Sequence, residues 1–257
     1  MWLDLRAVET RLETQFVGQR MVYLTSTSST QDVARDEAEK DAPSGTVVVA
    51  EEQLSGRGRF GRAWVSPSGK NLYFTLIMRP PLQRLRSLSI IAPLAVAVAV
   101  EKCTGISARI KWPNDVLINE RKLSGILIET ELSGQSVKYA LVGIGVNVNF
   151  EIEEASEVAD IATSVKRELG HETSREELLA ALLNQFEVLY EKAARGREVL
   201  EEWRSRLATL GCQIKVTFGG HVEDGLAEDV DADGNLILLR ADGSRVAIEA
   251  GEVTLRS

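Results

Sequence analysis

Between residues 108 and 149 the chain alternates β-rich apolar stretches with turns too short to cross a sheet. Candidate strands lie at Ala108–Lys111, Val116–Asn119, Leu123–Glu131 and Ser136–Asn149. Only Asn119-Glu120-Arg121 and Ser133-Gly134-Gln135 separate the last three, and both are hairpin-forming sequences. A parallel pair needs a crossover of about a dozen residues or more. These strands must therefore run antiparallel. The expected fold class is α+β: a mixed, largely antiparallel sheet with helices packed on it.

The remaining elements fit around that block. Leu3, Leu5, Val8, Leu12 and Phe16 recur at near-helical spacing and predict a short amphipathic helix within residues 2–16. Arg20–Leu24, Gly45–Glu52 and Asn71–Met78 read as strands, Gln31–Lys40 as a helix, and Leu54–Gly69 as a loop. Ser28, Ser29 or Thr30 can cap that helix. Leu88–Cys103 is a mostly buried helix. Its apolar run, Ile90–Val100, contains Pro93 and reaches about half a bilayer, so no membrane span is expected. Helices return at Val158–Leu169 and Arg175–Leu207, the second stopping before Gly211. From Gln213 onward, short strands are divided by Phe218-Gly219-Gly220, Asp231–Asn235 and Asp242-Gly243. That spacing predicts a small all-β barrel. The domains are thus placed at 1–210 and 211–257.

A net charge of −8 opposes a broad nucleic-acid or anionic-membrane surface. Cys103 and Cys212 lie far apart and outside metal-ligand spacing. Met1-Trp2-Leu3-Asp4 opens with an acid and not with a basic, signal-like segment. These features point to a reducing, cytoplasmic setting.

Gly56-Arg57-Gly58-Arg59-Phe60-Gly61-Arg62 matches G-x-G-x-x-G literally. A dinucleotide fingerprint needs a helix straight after it and an acid about 20 residues on. Here Trp64, Pro67 and Gly69 follow, and Thr75–Arg86 holds no acid. No Walker A motif occurs either: Ser68-Gly69-Lys70-Asn71 lacks the following Ser or Thr and the earlier glycine. The loop instead concentrates three guanidinium groups on a glycine-loosened backbone. Arginine forks and freed amides suit phosphate and carboxylate. An ordinary solvated basic loop is the plainer reading.

Lys111-Trp112-Pro113-Asn114-Asp115 forms a bend at a strand end, bringing an amide beside a carboxylate suited to Mg²⁺. A simple turn uses the same residue types. Lys122 opens an otherwise apolar strand, where an ammonium acts as a point charge. Gly125 is read on its strand face. Gly143, Gly145, Asn147 and Asn149 form one stripe, a slot floor ending in amides, unless the glycines are bulges.

Ser29-Thr30-Gln31, Gln53, Gly56–Trp64, Lys111–Asp115, Lys122–Ile126 and Gly143–Asn149 together resemble the biotin–protein ligases in order and spacing, over residues 20–257. The resemblance implies a class II synthetase-like catalytic unit followed by an SH3-like β-barrel. It implies Mg-ATP and biotin as substrates and a biotin carboxyl carrier protein, the biotinyl domain of a carboxylase, as acceptor. Ser29, Thr30, Gln31, Gln53, Arg57, Gly58, Arg59, Lys122, Gly125 and Gly145 are implied for biotin. Arg59, Arg62, Trp64, Asn114, Asp115 and Asn147 are implied for the nucleotide, with Asp115 toward Mg²⁺. Lys122 and Arg57 are implied as catalytic, and the Gly-Arg loop as a lid. Gln31 departs from the pattern, since asparagine is common there, and Phe60 fills a variable position. The chemistry requires no enzyme nucleophile, and His171 and His221 are expected at the surface.

Lipoate or octanoate transfer is the neighbouring enzymatic alternative. A non-catalytic biotin-binding module would not need both Lys122 and Arg57. Some family members also bind DNA through an N-terminal helix-turn-helix domain of about 60 residues. Only some 20 residues precede the first strand candidate, so DNA binding is not expected. Exposed sheet edges could support a homodimer through strand pairing.

Overall fold

The computed structural model describes residues 2–151, 160–218 and 220–255. Met1, the first two residues of the helix expected at Val158–Leu169, and Gly219 of the Phe218-Gly219-Gly220 turn lie outside them.

The main sheet contains β1 (Met21–Leu24), β2 (Thr46–Ala50), β3 (Leu72–Met78), β4 (Arg109–Lys111), β5 (Asp115–Ile118), β6 (Arg121–Ser133) and β7 (Ser136–Val146). Their spatial order is β1-β2-β3-β7-β6-β5-β4. The pair β1–β2 is parallel and all others are antiparallel. The parallel pair is joined by α2 (Thr30–Glu39), which supplies the crossover. The β5–β6 hairpin turns through Asn119 and Glu120, both at positive φ (48° and 65°). Two such residues in succession match the right-handed twist of the flanking strands.

Two helical layers cover the sheet. On one face α2 packs Ala34 and Ala38 against Val48, Ile77, Tyr139 and Leu141. On the other, after the short α3 (Leu82–Leu85), lie α4 (Ser87–Thr104) and α6 (Arg175–Ala193), the latter burying Leu178, Leu182, Phe186 and Leu189. Every residue of β3 is buried, so its run Leu-Tyr-Phe-Thr-Leu-Ile-Met is nearly continuously apolar. The helical stretch Leu82–Thr104 is long and apolar enough to cross a bilayer. Here Ile91, Leu94, Val96 and Val100 are core residues.

Four expected elements differ, one of them the helix expected at Val158–Leu169, whose described part is α5 (Val165–Leu169). The helix expected within residues 2–16 is only α1 (Leu5–Glu9), capped by Asp4. Beyond it, the Gln15, Phe16 and Val17 amides donate to the Glu187 carboxylate on α6, a tertiary demand no local period reports. The expected Arg175–Leu207 helix divides at Ala194–Arg197, around Gly196, into α6 and α7 (Glu198–Ser205). The strand expected to reach Asn149 stops at Val146. Past that point the Asn147 and Asn149 amides donate to the Leu123 and Lys70 carbonyls and leave the β7 ladder.

The C-terminal strands are β8 (Gln213–Phe218), β9 (His221–Val230), β10 (Leu236–Leu239), β11 (Arg245–Ile248) and β12 (Glu252–Leu255). They form one antiparallel sheet in the order β11-β10-β9-β8-β12. Among the described residues no ladder joins β11 to β12, and no closed barrel is detected. Ile214, Val216, Leu236 and Leu238 share one continuous core with α4 and α7. The Trp112 indole donates to the Gly234 carbonyl at 3.0 Å, tying this sheet to the bend before β5.

Candidate active site

Beside the N-terminus of α2 a cavity of about 570 Å³ opens. Its floor is built of glycine. Gly125 on β6 pairs with Gly145 on β7, and Leu127 pairs with Gly143. A Cβ at Gly145 would lie 2.6 Å from the Trp64 indole, and one at Gly143 2.6 Å from Gln31 Nε2. None of the three has positive φ. These glycines therefore provide space, not unusual backbone geometry. The expected stripe is correct through Asn147, which lines the cavity. Asn149 does not belong to it: its amide exchanges two hydrogen bonds with Thr173, each 2.9 Å.

The wall beside α2 is polar. Ser29 caps the helix by accepting from the Gln31 amide. Gln53 Oε1 accepts from the Thr30 amide at 2.9 Å and its hydroxyl at 3.1 Å. Thr30 also meets Thr75 on β3 at 2.9 Å. Two buried polar atoms here have no partner, Gln31 Oε1 and Trp64 Nε1. One is an acceptor and the other a donor, and each leaves hydrogen-bonding capacity facing a ligand space.

At the other end sits Lys122. On a regular strand Lys122 and Gly125, three residues apart, would face opposite ways. The β5–β6 register slips between Val116 and Leu117, which pair with Ser124 and Lys122 and leave Leu123 over. This bulge turns Lys122 onto the glycine face; a Cβ at Gly125 would lie 3.2 Å from Lys122 Nζ. The Lys122 backbone is held from the other side, donating to the Ile161 carbonyl at 2.8 Å and accepting from the Thr163 amide at 2.9 Å. Ala162 forms an isolated parallel bridge with Lys122 here, in a stretch expected to be helical, and the helix begins only at Val165. Lys122 Nζ lies 2.8 Å from Asp115 Oδ1, an ion pair without hydrogen-bond alignment, and 5.4 Å from the Trp64 ring centre. Asn114, after a cis Trp112–Pro113 bond, donates to the Ile126 carbonyl at 2.9 Å. Asn147 donates to the Thr163 carbonyl at 3.0 Å. Part of each expected nucleotide-binding amide is thus engaged within the protein.

The Gly-Arg loop forms the roof, pinned at three points. Arg57 grips Asp32 on α2 with two bonds, 2.6 and 3.1 Å. The Arg57 guanidinium holds the Asp32 carboxyl below its usual range, against the opposing effect of burial. Arg59 donates to Asn114 Oδ1 at 2.8 Å and stacks 4.9 Å from the Phe60 ring centre. Its burial lowers the guanidinium pKa from the ordinary value. Arg62 pairs with Glu252 of β12, so the C-terminal sheet reaches the site. Gly251 and Val253 line the cavity with it. Nothing in the sequence indicated that contribution. Gly58 donates to the Arg62 carbonyl at 2.7 Å, closing the loop on itself.

Among the described residues no group of three His, Cys, Asp or Glu side chains is arranged around a metal position. His171 and His221 are both exposed.

A glycine-floored slot with an amide wall at one end, an ammonium–carboxylate pair at the other and a roof of guanidinium groups suits one class of ligand. It would receive a ligand with a neutral polar head and neutralise charge at its far end. The sequence profile of the biotin/lipoate A/B protein ligase family matches residues 23–147. That of the biotin protein ligase C-terminal domain matches 209–256. The biotin–[acetyl-CoA-carboxylase] ligase of Paracoccus denitrificans is 40% identical, the match covering 86% of this chain and 96% of that protein. The bifunctional ligase/repressor BirA of Bacillus subtilis is 36% identical, with 90% and 73% covered. The biotin protein ligase of Aquifex aeolicus, solved with biotin and ATP, superposes with a TM-score of 0.80 at 32% identity, over 93% of this chain and 99% of that one. The chain belongs to the biotin protein ligase family.

Proposed function

We propose that this protein activates biotin with Mg-ATP as biotinyl-5′-AMP and transfers the biotinyl group to a lysine of a biotin carboxyl carrier domain in the cytoplasm. The observation that carries the reading is the Gly125–Gly145 floor ending at Lys122 and Asp115. In the first step a biotin carboxylate oxygen attacks the α-phosphorus, and pyrophosphate leaves. Two anions meet, so the site must neutralise charge rather than move protons. Lys122 and Arg57 stabilise the charge developing at phosphorus. Mg²⁺ arrives with ATP, and Asp115 suits an ion that takes one or two protein carboxylates beside phosphate oxygens.

Ser29, Thr30, Gln31 and Gln53 receive the biotin head, with Gly58 and Gly125 giving backbone access. Trp64, Asn114, Asn147, Arg59 and Arg62 serve the nucleotide. The mixed anhydride hydrolyses readily, and the loop roof excludes water from it. In the second step the acceptor amine attacks the acyl carbon. An amide C–N bond forms, the anhydride C–O bond breaks, and AMP leaves with the electron pair. No enzyme nucleophile takes part.

The division into a catalytic unit (1–210) and a C-terminal unit (211–257) is part of the proposal. So is a homodimer through strand pairing, supported by the β6 edge beyond Leu127, which pairs with no strand on its β5 side among the described residues. We carry over the ligase half of the Bacillus relative's name and not the repressor half. A salt-sensitive, sequence-specific gel shift with biotinyl-AMP present would reverse that choice. The direct test incubates the enzyme with Mg-ATP, a purified biotinyl domain, and biotin or lipoate. A mass increase of one biotin on the domain is expected. Labelling by lipoate alone would assign the protein to the lipoate branch.

A further inference from the structure

The β6–β7 ladder ends at the Ser124–Val146 pair, so β7 does not reach the backbone of Lys122. Residues 161–163 take its place: Ala162 bridges to Lys122, and Lys122 bonds the Ile161 carbonyl and the Thr163 amide. Thr163 holds a second site residue as well, because its carbonyl accepts from Asn147 Nδ2 at 3.0 Å. One residue outside every motif of the sequence thus bonds both Lys122 and Asn147. Thr163 is itself fixed. It is fully buried, and its hydroxyl donates to one carboxylate oxygen of Glu168 on α5. The second oxygen accepts from Asn119 Nδ2 at 2.7 Å, and Asn119 lies in the β5–β6 turn, three residues before Lys122. The start of α5 is anchored too: the Val165 and Lys166 amides donate to the Asn147 and Val148 carbonyls at 3.0 and 2.8 Å. A single carboxylate therefore ties the turn before Lys122 to the segment that grips Lys122 and Asn147. Neither Thr163 nor Glu168 lines the cavity.

We propose that Glu168, acting through Thr163, is a positioning residue that sets Lys122 and Asn147 relative to each other for adenylation. The inference rests on the biotin-ligase reading and extends it to two residues that touch no substrate. Donors stabilise charge at a reacting phosphorus only if they are held in place before that charge develops. A misplacement of about 1 Å costs about 10²-fold in rate. Lys122 needs outside support because its strand bulges beside it and its side chain is one-third exposed. The wall of Thr30, Gln31 and Gln53 is built on other partners, Thr75, Leu127 and Ser66. Loss of the Glu168 carboxylate should therefore act on the nucleotide and on the rate, and spare the biotin head.

The test measures ATP–pyrophosphate exchange with biotin on wild type, Glu168→Ala, Glu168→Gln and Thr163→Val. Glu168→Ala should lower kcat about tenfold and raise the ATP KM, while the biotin KM stays within about twofold of wild type. Glu168→Gln, which still accepts from Asn119 and can bond the Thr163 hydroxyl, should recover most of the rate. Adding Thr163→Val to Glu168→Ala should cost little more, since members of one network are not additive. A biotin KM that rises along with the ATP KM would mean general loosening and would overturn the inference. So would wild-type kinetics in Glu168→Ala. Should that variant fail to fold, Asn119→Gly removes one of the two bonds at an exposed turn, where glycine accepts the positive φ of 48°. It should lose about threefold in kcat with the biotin KM unchanged, and a wild-type rate there would likewise overturn the inference. No biotin-driven exchange in wild type would reject the ligase reading itself, and the inference with it.

Discussion

Lys122 owes its position to three separate devices: the bulge at Leu123, the bridge to Ala162, and Asp115 opposite its ammonium group. The first two are backbone features independent of the ammonium, and the side chain is one-third exposed. Lys122→Ala is expected to melt within a few degrees of wild type and lose about 10²- to 10³-fold in adenylation rate. Single-turnover kinetics checks this, and a wild-type rate would remove Lys122 from the chemistry. Asp32 allows a pH prediction. Its folded pKa is lowered, chiefly by the Arg57 bonds. The pair's contribution is therefore present above the ordinary aspartate pKa and is lost as pH falls through the lowered value. Protection of the Gly56–Trp64 amides from hydrogen exchange, taken against the intrinsic rate at each pH, should hold down to about pH 5 and fall below the usual aspartate range near 4. In Asp32→Asn it should be low throughout. A loop indifferent to Asp32 would show that Arg57 is held by something else.

The Gly-Arg loop depends on contacts with three other elements, and breaking one should loosen the roof while sparing the floor. Arg59→Gly removes the bond to Asn114 and a buried guanidinium. It should release biotinyl-AMP, read as biotin on lysines of bystander proteins; labelling confined to the carrier would contradict the lid role. At this scale the sequence was readable where short-range chemistry decides. The hairpins followed from Asn119-Glu120 and Ser133-Gly134-Gln135, and α2 from its Ser29 cap. Gly143 and Gly145 were readable because they sit two apart on one strand; Gly125 joins them by pairing across strands, and Lys122 by a bulge that strand alternation does not report. The unreadable parts answer to distant partners. α1 ends early because Glu187 claims the amides beyond it. Asn149 turns to Thr173, and Ala162 bridges to Lys122, far off in sequence, where a helix was expected. Arg62 is expected toward the nucleotide, and its pairing with Glu252, 190 positions away on β12, had no local signal.

Across the whole molecule, a buried ion pair ties the N-terminal segment to α6. Glu51 accepts from Arg175 at 2.7 Å, from Tyr23 at 2.7 Å and from the Leu3 amide. Burial pushes the Glu51 carboxyl up, yet these partners together hold it below its ordinary value. Burial and the Glu51 bond raise the Tyr23 hydroxyl to about 12. Breaking such a pair leaves a buried guanidinium uncompensated and costs about 3–5 kcal/mol. Glu51→Gln should thus lower the melting temperature by roughly 10 °C in calorimetry while leaving the cavity residues in place. An unchanged melting temperature would mean water reaches Arg175.

ATP–pyrophosphate exchange reads carboxylate activation at the Lys122 end of the slot apart from the transfer step. With Mg²⁺ present, biotin should drive exchange while lipoate and octanoate do not. A folded sample that exchanges with none of the three would contradict the account.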